Sequence, residues 1–235
     1  MNENRIYSAS TAANNGVQRL TEILAKMDSK PKCYIRTFGC QQNVSDSERM
    51  AGMLESCGYE VTEDSKEAEL IVFNTCAVRE HAEFRVFGNI GAMKKQKEDN
   101  PKLIIAVGGC MVQQAHVAEK LKKSYPYVDI IFNTNEIERL CEHLANRLGE
   151  HKKSIVAYSC RDFTLNENLP VKRDRSFRAY VPIMYGCDNF CTYCVVPFVR
   201  GRERSRRSED IINEFRAVVA AGYKDIMLLG QNVNS

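Results

Sequence analysis

Three cysteines follow three apolar runs, and this repeat limits the folds that the chain can adopt. Cys40, Cys76 and Cys110 lie 36 and 34 residues apart. A strand–helix–strand crossover takes about 30 residues or more, so each spacing predicts one crossover between parallel strands. The carboxyl ends of parallel strands meet at one edge of an open α/β sheet, where ligands bind. We therefore expect these three thiols to lie together at one edge and to form a three-cysteine site.

Strand and helix signals alternate along residues 32–150, which predicts an amino-terminal α/β domain with a parallel sheet. The expected strands cover 33–38, 70–73, 103–107 and 128–132, and the expected helices cover 45–57, the segment from Cys76 to about Glu98, 113–123 and 136–148. Ser45 and Glu48 have the spacing of a capping box, which predicts that the first helix begins there. Gly58 is placed to end it.

The rest of the chain divides into three further segments. Residues 1–31 are a polar leader with a short helix, and residues 151–178 are a linker with one strand near 154–158. Residues 179–235 begin a second domain, with strands at 179–185 and 226–229 and a helix capped by Ser208. The expected apolar face of that helix consists of Ile211, Ile212, Phe215, Val218 and Val219. A closed (β/α) barrel takes about 250 residues, so we expect the chain to be truncated within this domain.

Composition and cysteine usage favour an intracellular metal protein. A chain with 27% charged residues is not embedded wholly in a membrane, and no run approaches the ~18 apolar residues of a spanning helix. Residues 1–15 lack the apolar core of a signal peptide. Ten cysteines in 235 residues are also too few for a disulfide scaffold, which takes about 8–10%. We expect a cytoplasmic protein whose clustered thiols bind metal or carry redox chemistry.

A second group of thiols lies in one short loop. Cys187, Cys191 and Cys194 have the spacing C-x₃-C-x₂-C after the strand at 179–185. Thiolates suit iron–sulfur clusters, and three of them leave one iron of a cubane open to a substrate or cofactor. The alternatives are a zinc knuckle without its fourth ligand and buried free cysteines. A structural zinc site needs four ligands, and no histidine or cysteine occurs in residues 195–235 to supply the fourth.

This loop, with Tyr193 just before its last cysteine, resembles the signature of radical S-adenosylmethionine (SAM) enzymes. The resemblance implies a (β/α) partial barrel and a [4Fe–4S] cluster on Cys187, Cys191 and Cys194. It also implies that SAM binds the open iron, with Tyr193 as a cofactor-binding residue. One electron then cleaves SAM to a radical that abstracts hydrogen from an unactivated carbon, which is cofactor chemistry that the protein positions.

The order of motifs resembles one family in particular, the methylthiotransferases. The motifs are residues 37–43, residues 45–48, residues 74–79 and residues 108–110, followed by the cysteine loop. The resemblance implies that Cys40, Cys76 and Cys110 bind a second, auxiliary [4Fe–4S] cluster that carries the sulfur to be inserted. Many members have methionine where this chain has Gln42, but that change removes no ligand.

Coincidence is the alternative for the strand-end cysteines, because cysteine is often just a small buried hydrophobe. That interpretation fits the other four cysteines better, since none has a partner pattern. They are Cys33, Cys57, Cys141 and Cys160.

Residues 186–206 and 229–235 look most like the methylthiotransferases that act on isopentenyladenosine in bacterial tRNA. The resemblance implies methylthiolation at C2 of the adenosine 3′ of the anticodon, with tRNA bound through its anticodon arm. It also implies a reductant protein such as flavodoxin or ferredoxin and a carboxyl-terminal RNA-binding domain. We expect a monomer without a membrane partner, and we expect these 235 residues to be inactive alone. The alternatives are methylthiolation of threonylcarbamoyladenosine in tRNA, methylthiolation of a ribosomal protein aspartate, and a non-catalytic iron–sulfur electron carrier.

A basic segment surrounds the cysteine loop. Residues 170–207 contain nine basic and three acidic residues, whereas the whole chain has a net charge of +3. A polyanionic substrate would need such a stretch. The expected substrate-binding residues are Arg202, Arg204, Arg206 and Arg207. The alternative is a solvated loop in which arginines pair with acids or with SAM.

Overall fold

The computed structural model describes residues 15–77, 80–156, 169–173 and 177–235. The first region, residues 15–156, contains a helix α1 at residues 15–24 and a strand-and-helix series after it. That series is β1 (Lys32–Thr37), α2 (Gln41–Cys57), β2 (Glu60–Val61), β3 (Leu70–Thr75), α3 (Glu80–Asp99), β4 (Ile104–Gly109), a 3-10 turn (Met111–Gln113), α4 (Ala115–Ser124), β5 (Ile130–Phe132), a second 3-10 turn (Thr134–Arg139), α5 (Leu140–Glu150) and β6 (Ser154–Val156).

The first region is a six-stranded parallel sheet with the order β2-β1-β3-β4-β5-β6, which confirms the predicted α/β fold. The strands β3 and β4 are buried at every position, because helices cover both faces of the sheet. Leu20, Leu54 and Leu144 pack on one face, from α1, α2 and α5. Ile90 and Leu121, from α3 and α4, pack on the other. β6, expected within the linker, is the edge strand of this sheet, and the rest of the expected strand lies outside the described residues.

The second region, residues 177–235, begins the expected (β/α) unit. It contains β7 (Arg178–Pro182), β8 (Met184–Tyr185), α6 (Val196–Arg200), β9 (Arg204–Ser205), α7 (Ser208–Ala220) and β10 (Asp225–Leu229). β7 and β10 pair in parallel with α7 between them in the chain, as predicted. The strand expected over 179–185 is interrupted at Ile183, where β8 turns away to pair antiparallel with β9.

The start predicted for α2 from the capping box is wrong, whereas α7 begins within one residue of its predicted start but lacks the predicted cap at Ser208. α2 begins at Gln41, directly after Cys40, so Ser45 and Glu48 lie inside the helix and are buried. α7 is preceded by Arg207 as its N-cap, and no side chain caps it. The predicted end of α2 is confirmed, because Gly58 adopts a left-handed φ of 116° and its N–H bonds back to Glu55.

The expected apolar face of α7 is covered only in part. Val218 is buried and Ile211 is partly buried against Ala179 and Val181. Ile212, Phe215 and Val219 are exposed, which corrects the expectation that the whole face is covered within these residues.

The segment at residues 169–173, between the two regions in the chain, packs against α2. The amide of Lys172 donates to the carbonyl of Glu48 at 3.0 Å. A Cβ at Gly52 would lie 2.2 Å from the carbonyl oxygen of Pro170, so this glycine allows the backbone of residues 169–173 to approach the helix. Among the described residues, every helix is too short or too polar to cross a membrane.

Replacing Gly109 with alanine should lower the free energy of unfolding by about 1–3 kcal/mol. Gly109 has a φ of 102°, and a Cβ there would lie 2.3 Å from the carbonyl oxygen of Thr75. Gly88→Ala is the matched control, because nothing lies within 4 Å of its Cβ position in α3. The control should stabilise the protein by about 0.5–1 kcal/mol. Urea denaturation measures both, and equal effects would contradict the packing described for Gly109.

Candidate iron–sulfur sites

Three adjacent strands place three cysteines at one edge of the sheet, as the spacing predicted. β3 lies between β1 and β4, and all three run parallel. Cys76 and Cys110 directly follow β3 and β4, and Cys40 comes three residues after β1. The amide of Cys110 donates to the carbonyl of Thr75 at 2.9 Å, which ties the two strand ends together. We call Cys40, Cys76 and Cys110 the edge site.

Gly39 allows the backbone next to Cys40 to lie close to Cys76. Gly39 has a φ of 124°, and a Cβ there would lie 2.4 Å from the Cβ of Cys76. Cys76 and Cys110 are almost fully buried, and Cys40 is partly buried. The edge site is therefore compact and largely shielded from solvent.

Buried asparagines hold the strand ends around the edge site. The side-chain amide of Asn43 donates to the carbonyl of Thr75 at 3.0 Å and to Oδ1 of Asn74 at 3.1 Å. Asn74 donates in turn to the carbonyl of Asn43 at 2.8 Å and to Oγ of Ser47 at 2.9 Å. Because buried polar groups are costly when unpaired, this reciprocal network fixes the start of α2 on β3.

The thiols of the edge site differ in electrostatic environment. A hydrogen bond from Cys76 holds the pKa of Cys40 well below its ordinary value, and the positive charge of Arg200 acts in the same direction. Burial raises the pKa of Cys110, although Arg200 opposes that shift. Since the thiolate is the form that binds metal, the lowered pKa of Cys40 favours its ligating form.

The second group of thiols lies in a loop that β8 and β9 close. Met184 pairs with Ser205, so the two ends of the segment between them are held next to each other. Gly186 has a φ of 74°, and a Cβ there would lie 2.1 Å from the carbonyl oxygen of Arg202. Its amide donates to Oε1 of Gln231 at 2.6 Å, which ties the loop to the segment after β10. We call Cys187, Cys191 and Cys194 of this loop the loop site.

The loop site opens toward solvent. Cys187 is buried, Cys194 is partly buried and Cys191 is exposed. The amide of Cys194 donates to the carbonyl of Cys191 at 2.9 Å, so one turn carries both thiols. The side chain of Tyr193 is 90% exposed. An open site of this kind has room for a further ligand.

The donor sets of both sites suit an iron–sulfur cluster, because thiolates are the side chains that bind such clusters. Within residues 15–77, 80–156, 169–173 and 177–235, no three histidine, cysteine or acidic side chains could hold one ion. A cubane binds each thiolate to a different iron, so three thiolates occupy three of its four irons. Three cysteines in each site therefore fit a [4Fe–4S] cluster in donor chemistry, and their role as ligands stays a prediction.

Helix α6 connects the two sites. It begins two residues after Cys194 and ends at Arg200. Nη2 of Arg200 donates to Oδ2 of Asp46, in α2, at 2.9 Å, and both residues are buried. The hydroxyl of Thr134 also donates to the carbonyl of Val199, at 3.2 Å. The helix that follows the loop site is thus docked on the region that carries the edge site.

Arg200 is charged although it is deeply buried. Burial disfavours the charged guanidinium, but the charges of Cys110, Asp46 and Cys40 outweigh that effect and raise its pKa. The guanidinium therefore lies close enough to two of the three thiols of the edge site for their charges to act on it, and α6 contacts the 3-10 turn that follows Cys110.

The four arginines predicted to bind substrate occupy different environments. The side chains of Arg202 and Arg207 are mainly exposed, and Arg202 pairs with Asp188 at 2.8 Å. Arg204 is partly buried and donates to the carbonyl of Arg200. Arg206 is buried and donates to the carbonyl of Pro182 and to Glu214. Its side chain is therefore not placed to bind substrate, contrary to the prediction. The burial of Arg206 supports the alternative in which some arginines are structural.

The remaining described cysteines lie in the core. Cys57 and Cys141 approach to 3.5 Å between their sulfur atoms, from α2 and α5, although no pattern in the sequence indicates that they are partners. Cys33 lies in β1 in the same cluster. Cys160 lies outside the described residues.

Sequence patterns do not predict Asn43, Asn74, Asp46 or Arg200 as site residues. Asn43 lies three residues after Cys40, and Asn74 lies two before Cys76, so both are adjacent to predicted ligands. Polar residues that close to a ligand are a usable signal. The burial of Asp46 and Arg200 has no such signal, because it depends on packing between the two regions.

In iron-free protein, alkylation should label Cys191 first and leave Cys33 unlabelled. Burial raises the pKa of Cys33 to about 12, so at pH 8 its thiol is protonated and also inaccessible. Cys191 is exposed. Mass spectrometry after timed exposure to iodoacetamide measures both rates, and denaturant should make them similar. Equal labelling in the folded protein would contradict the burial described for β1.

Two family models match the chain, in the order of its two regions. Residues 32–133 match the uncharacterized protein family UPF0004, and residues 181–235 match the radical SAM superfamily. The radical SAM match implies a [4Fe–4S] cluster and SAM. The first match ends at Asn133, after β5, and the second begins inside β7.

Several curated relatives named tRNA-2-methylthio-N(6)-dimethylallyladenosine synthase are similar over most of the chain. The relative from Clostridium beijerinckii is 50% identical over 222 residues, which are 94% of this chain and 48% of that protein. One from Clostridium perfringens is 53% identical over 209 residues, covering 89% of this chain and 46% of the relative. One from Clostridium tetani is 52% identical over 208 residues, with coverages of 88% and 46%.

The chain spans about half the length of the curated relatives it matches. Within that span the matches agree with the order of the edge and loop motifs. The chain therefore carries a UPF0004 region followed by a radical SAM region, and its resemblance to the radical SAM methylthiotransferase family is confirmed.

Proposed function

We propose that the protein is a methylthiotransferase that modifies tRNA by radical SAM chemistry. The observation that carries the proposal is the contact between α6 and α2, because α6 follows the loop site and α2 begins directly after Cys40 of the edge site. A simple electron carrier would not need a SAM-type loop beside a second open cluster site. The names of the relatives favour dimethylallyladenosine over the other tRNA and protein substrates.

The residues divide into two tasks. Cys187, Cys191 and Cys194 hold one cluster and Tyr193 contacts SAM, while the edge site holds a second cluster that carries sulfur. When bound, the clusters and SAM supply the radical and sulfur chemistry at C2 of the adenosine. The protein's own contribution is to bind these groups at two neighbouring sites, with Cys76 and Cys110 shielded from water and Cys191 exposed.

The substrate surface includes Arg202 and Arg207, whose side chains are mainly exposed. Exposed guanidinium groups beside the loop site suit the phosphates of an anticodon arm. We further propose a cytoplasmic monomer that receives electrons from a flavodoxin or ferredoxin.

Reconstituted protein at its natural length should contain about eight iron atoms per chain, as two [4Fe–4S] clusters. Replacing the three edge-site cysteines together with alanine should leave about four, with SAM cleavage intact and methylthiolation abolished. The same change in the loop site should also leave about four, but SAM cleavage should stop. Cys33→Ala, a core cysteine outside both sites, is the control and should keep both clusters. Four iron atoms in the unaltered protein would exclude the second cluster.

The double variant Arg202→Gln/Arg207→Gln should weaken tRNA binding. Each ionic interaction with a phosphate that the substitutions remove should reduce the log–log salt slope by about 0.7–0.9. Lys122→Gln/Lys123→Gln is the matched control, because it removes the same charge from exposed positions in α4. Filter binding across salt concentrations measures the slope, and iron content and SAM cleavage report whether the loop is intact. Identical slopes in both double variants would show that this surface does not contact RNA.

A further inference from the structure

Arg200 is an unusual arginine, because it is carried by one region and buried in the other. It is 7% exposed, and its partner Asp46 is 4% exposed. Long charged side chains are almost never buried to this degree unless they are paired. The 2.9 Å contact between Nη2 and Oδ2 satisfies one donor of a planar fork that has five.

Two thiols of the edge site also lie near the guanidinium, which lies on a surface that Arg49, Tyr185 and Arg204 share. Asp46 lies in the second turn of α2, which begins directly after Cys40, and α6 contacts the 3-10 turn that follows Cys110. In agreement with that placement, the charges of Cys110 and Cys40 both act on Arg200.

Docking of α6 does not by itself require a buried charge, because an uncharged contact already exists. The hydroxyl of Thr134 donates to the carbonyl of Val199. A buried ion pair is also a poor source of stability, since desolvation offsets the attraction. The placement of this cation beside two thiols therefore needs an explanation in the chemistry of the edge site.

We propose that Arg200 is a positioning residue of the edge site, where its buried guanidinium, oriented by Asp46, faces the thiolates of Cys40 and Cys110 and stabilises the negative charge of a bound [4Fe–4S] cluster. The inference rests on the proposed second cluster. Each thiolate adds negative charge, and one-electron reduction adds more. A fixed cation nearby therefore favours the reduced form and raises the reduction potential, because net charge is one of the factors that set it.

The proposal predicts effects of opposite sign for the two members of the ion pair. Arg200→Gln removes a positive charge and should make the midpoint potential more negative. Asp46→Asn removes a negative charge at the same place and should make it less negative. Arg200→Lys keeps the charge and should stay close to the parent protein. A role only in docking would give the two neutral variants the same behaviour, because each breaks the same contact.

The experiment uses reconstituted protein in which Cys187, Cys191 and Cys194 are alanine, so that only an edge-site cluster can form. Redox titration followed by electron paramagnetic resonance measures the midpoint potential in this background. We expect Arg200→Gln to disfavour reduction at least about tenfold, which is 59 mV for a one-electron couple. Arg147→Gln is the matched control, because it breaks another partly buried arginine–aspartate pair, to Asp129 at 3.0 Å, and should leave the potential unchanged.

Each outcome separates this inference from the proposed function. If the cluster binds but its midpoint potential is unchanged, or shifts in the same direction in Arg200→Gln and Asp46→Asn, the role of Arg200 is overturned. The proposal of a second cluster is then unaffected. The role of Arg200 is also overturned if Arg200→Gln, Arg200→Lys and Asp46→Asn all lose iron while the protein with only the loop-site substitutions keeps its cluster. That result would indicate a role in docking. A background protein without iron overturns the second cluster and the inference together.

Discussion

The parallel pairing of β1, β3 and β4 decides where the three thiols of the edge site lie. Because the three strands run in one direction, their carboxyl ends meet, and the thiols that follow them lie at one edge although 70 residues separate the first from the last. Helices on both faces make this edge the accessible place for a ligand. The asparagine network and Gly39 then fix how closely Cys40 and Cys76 approach.

The second region adds another three-cysteine site to the one at the edge of the sheet. Its loop site is closed by β8 and β9, and α6 leads from that loop directly onto α2. The buried pair of Arg200 and Asp46 fixes this contact, and removing one partner would leave the other charge buried and unpaired. The two candidate cluster sites are therefore parts of one arrangement.

Local patterns predicted the strands well, because strands buried on both faces are continuous apolar runs. They failed where packing between distant segments decides the outcome. Ser45 and Glu48 have a capping pattern, but the chain turns into a helix directly at Cys40 and buries both residues. The sequence pattern places Arg200 and Arg206 in a basic surface or loop, since nothing in a linear sequence marks an arginine as buried. Cys57 and Cys141 meet only because α2 packs on α5.

The central claim is that two clusters bind at two distinct three-cysteine sites on either side of α6. Crystals of anaerobically reconstituted protein, measured at the iron absorption edge, locate iron directly by anomalous scattering. We expect two separate groups of iron, one bonded to Cys40, Cys76 and Cys110 and the other to Cys187, Cys191 and Cys194. Iron at the loop site alone, with the edge-site thiols unligated, would contradict it.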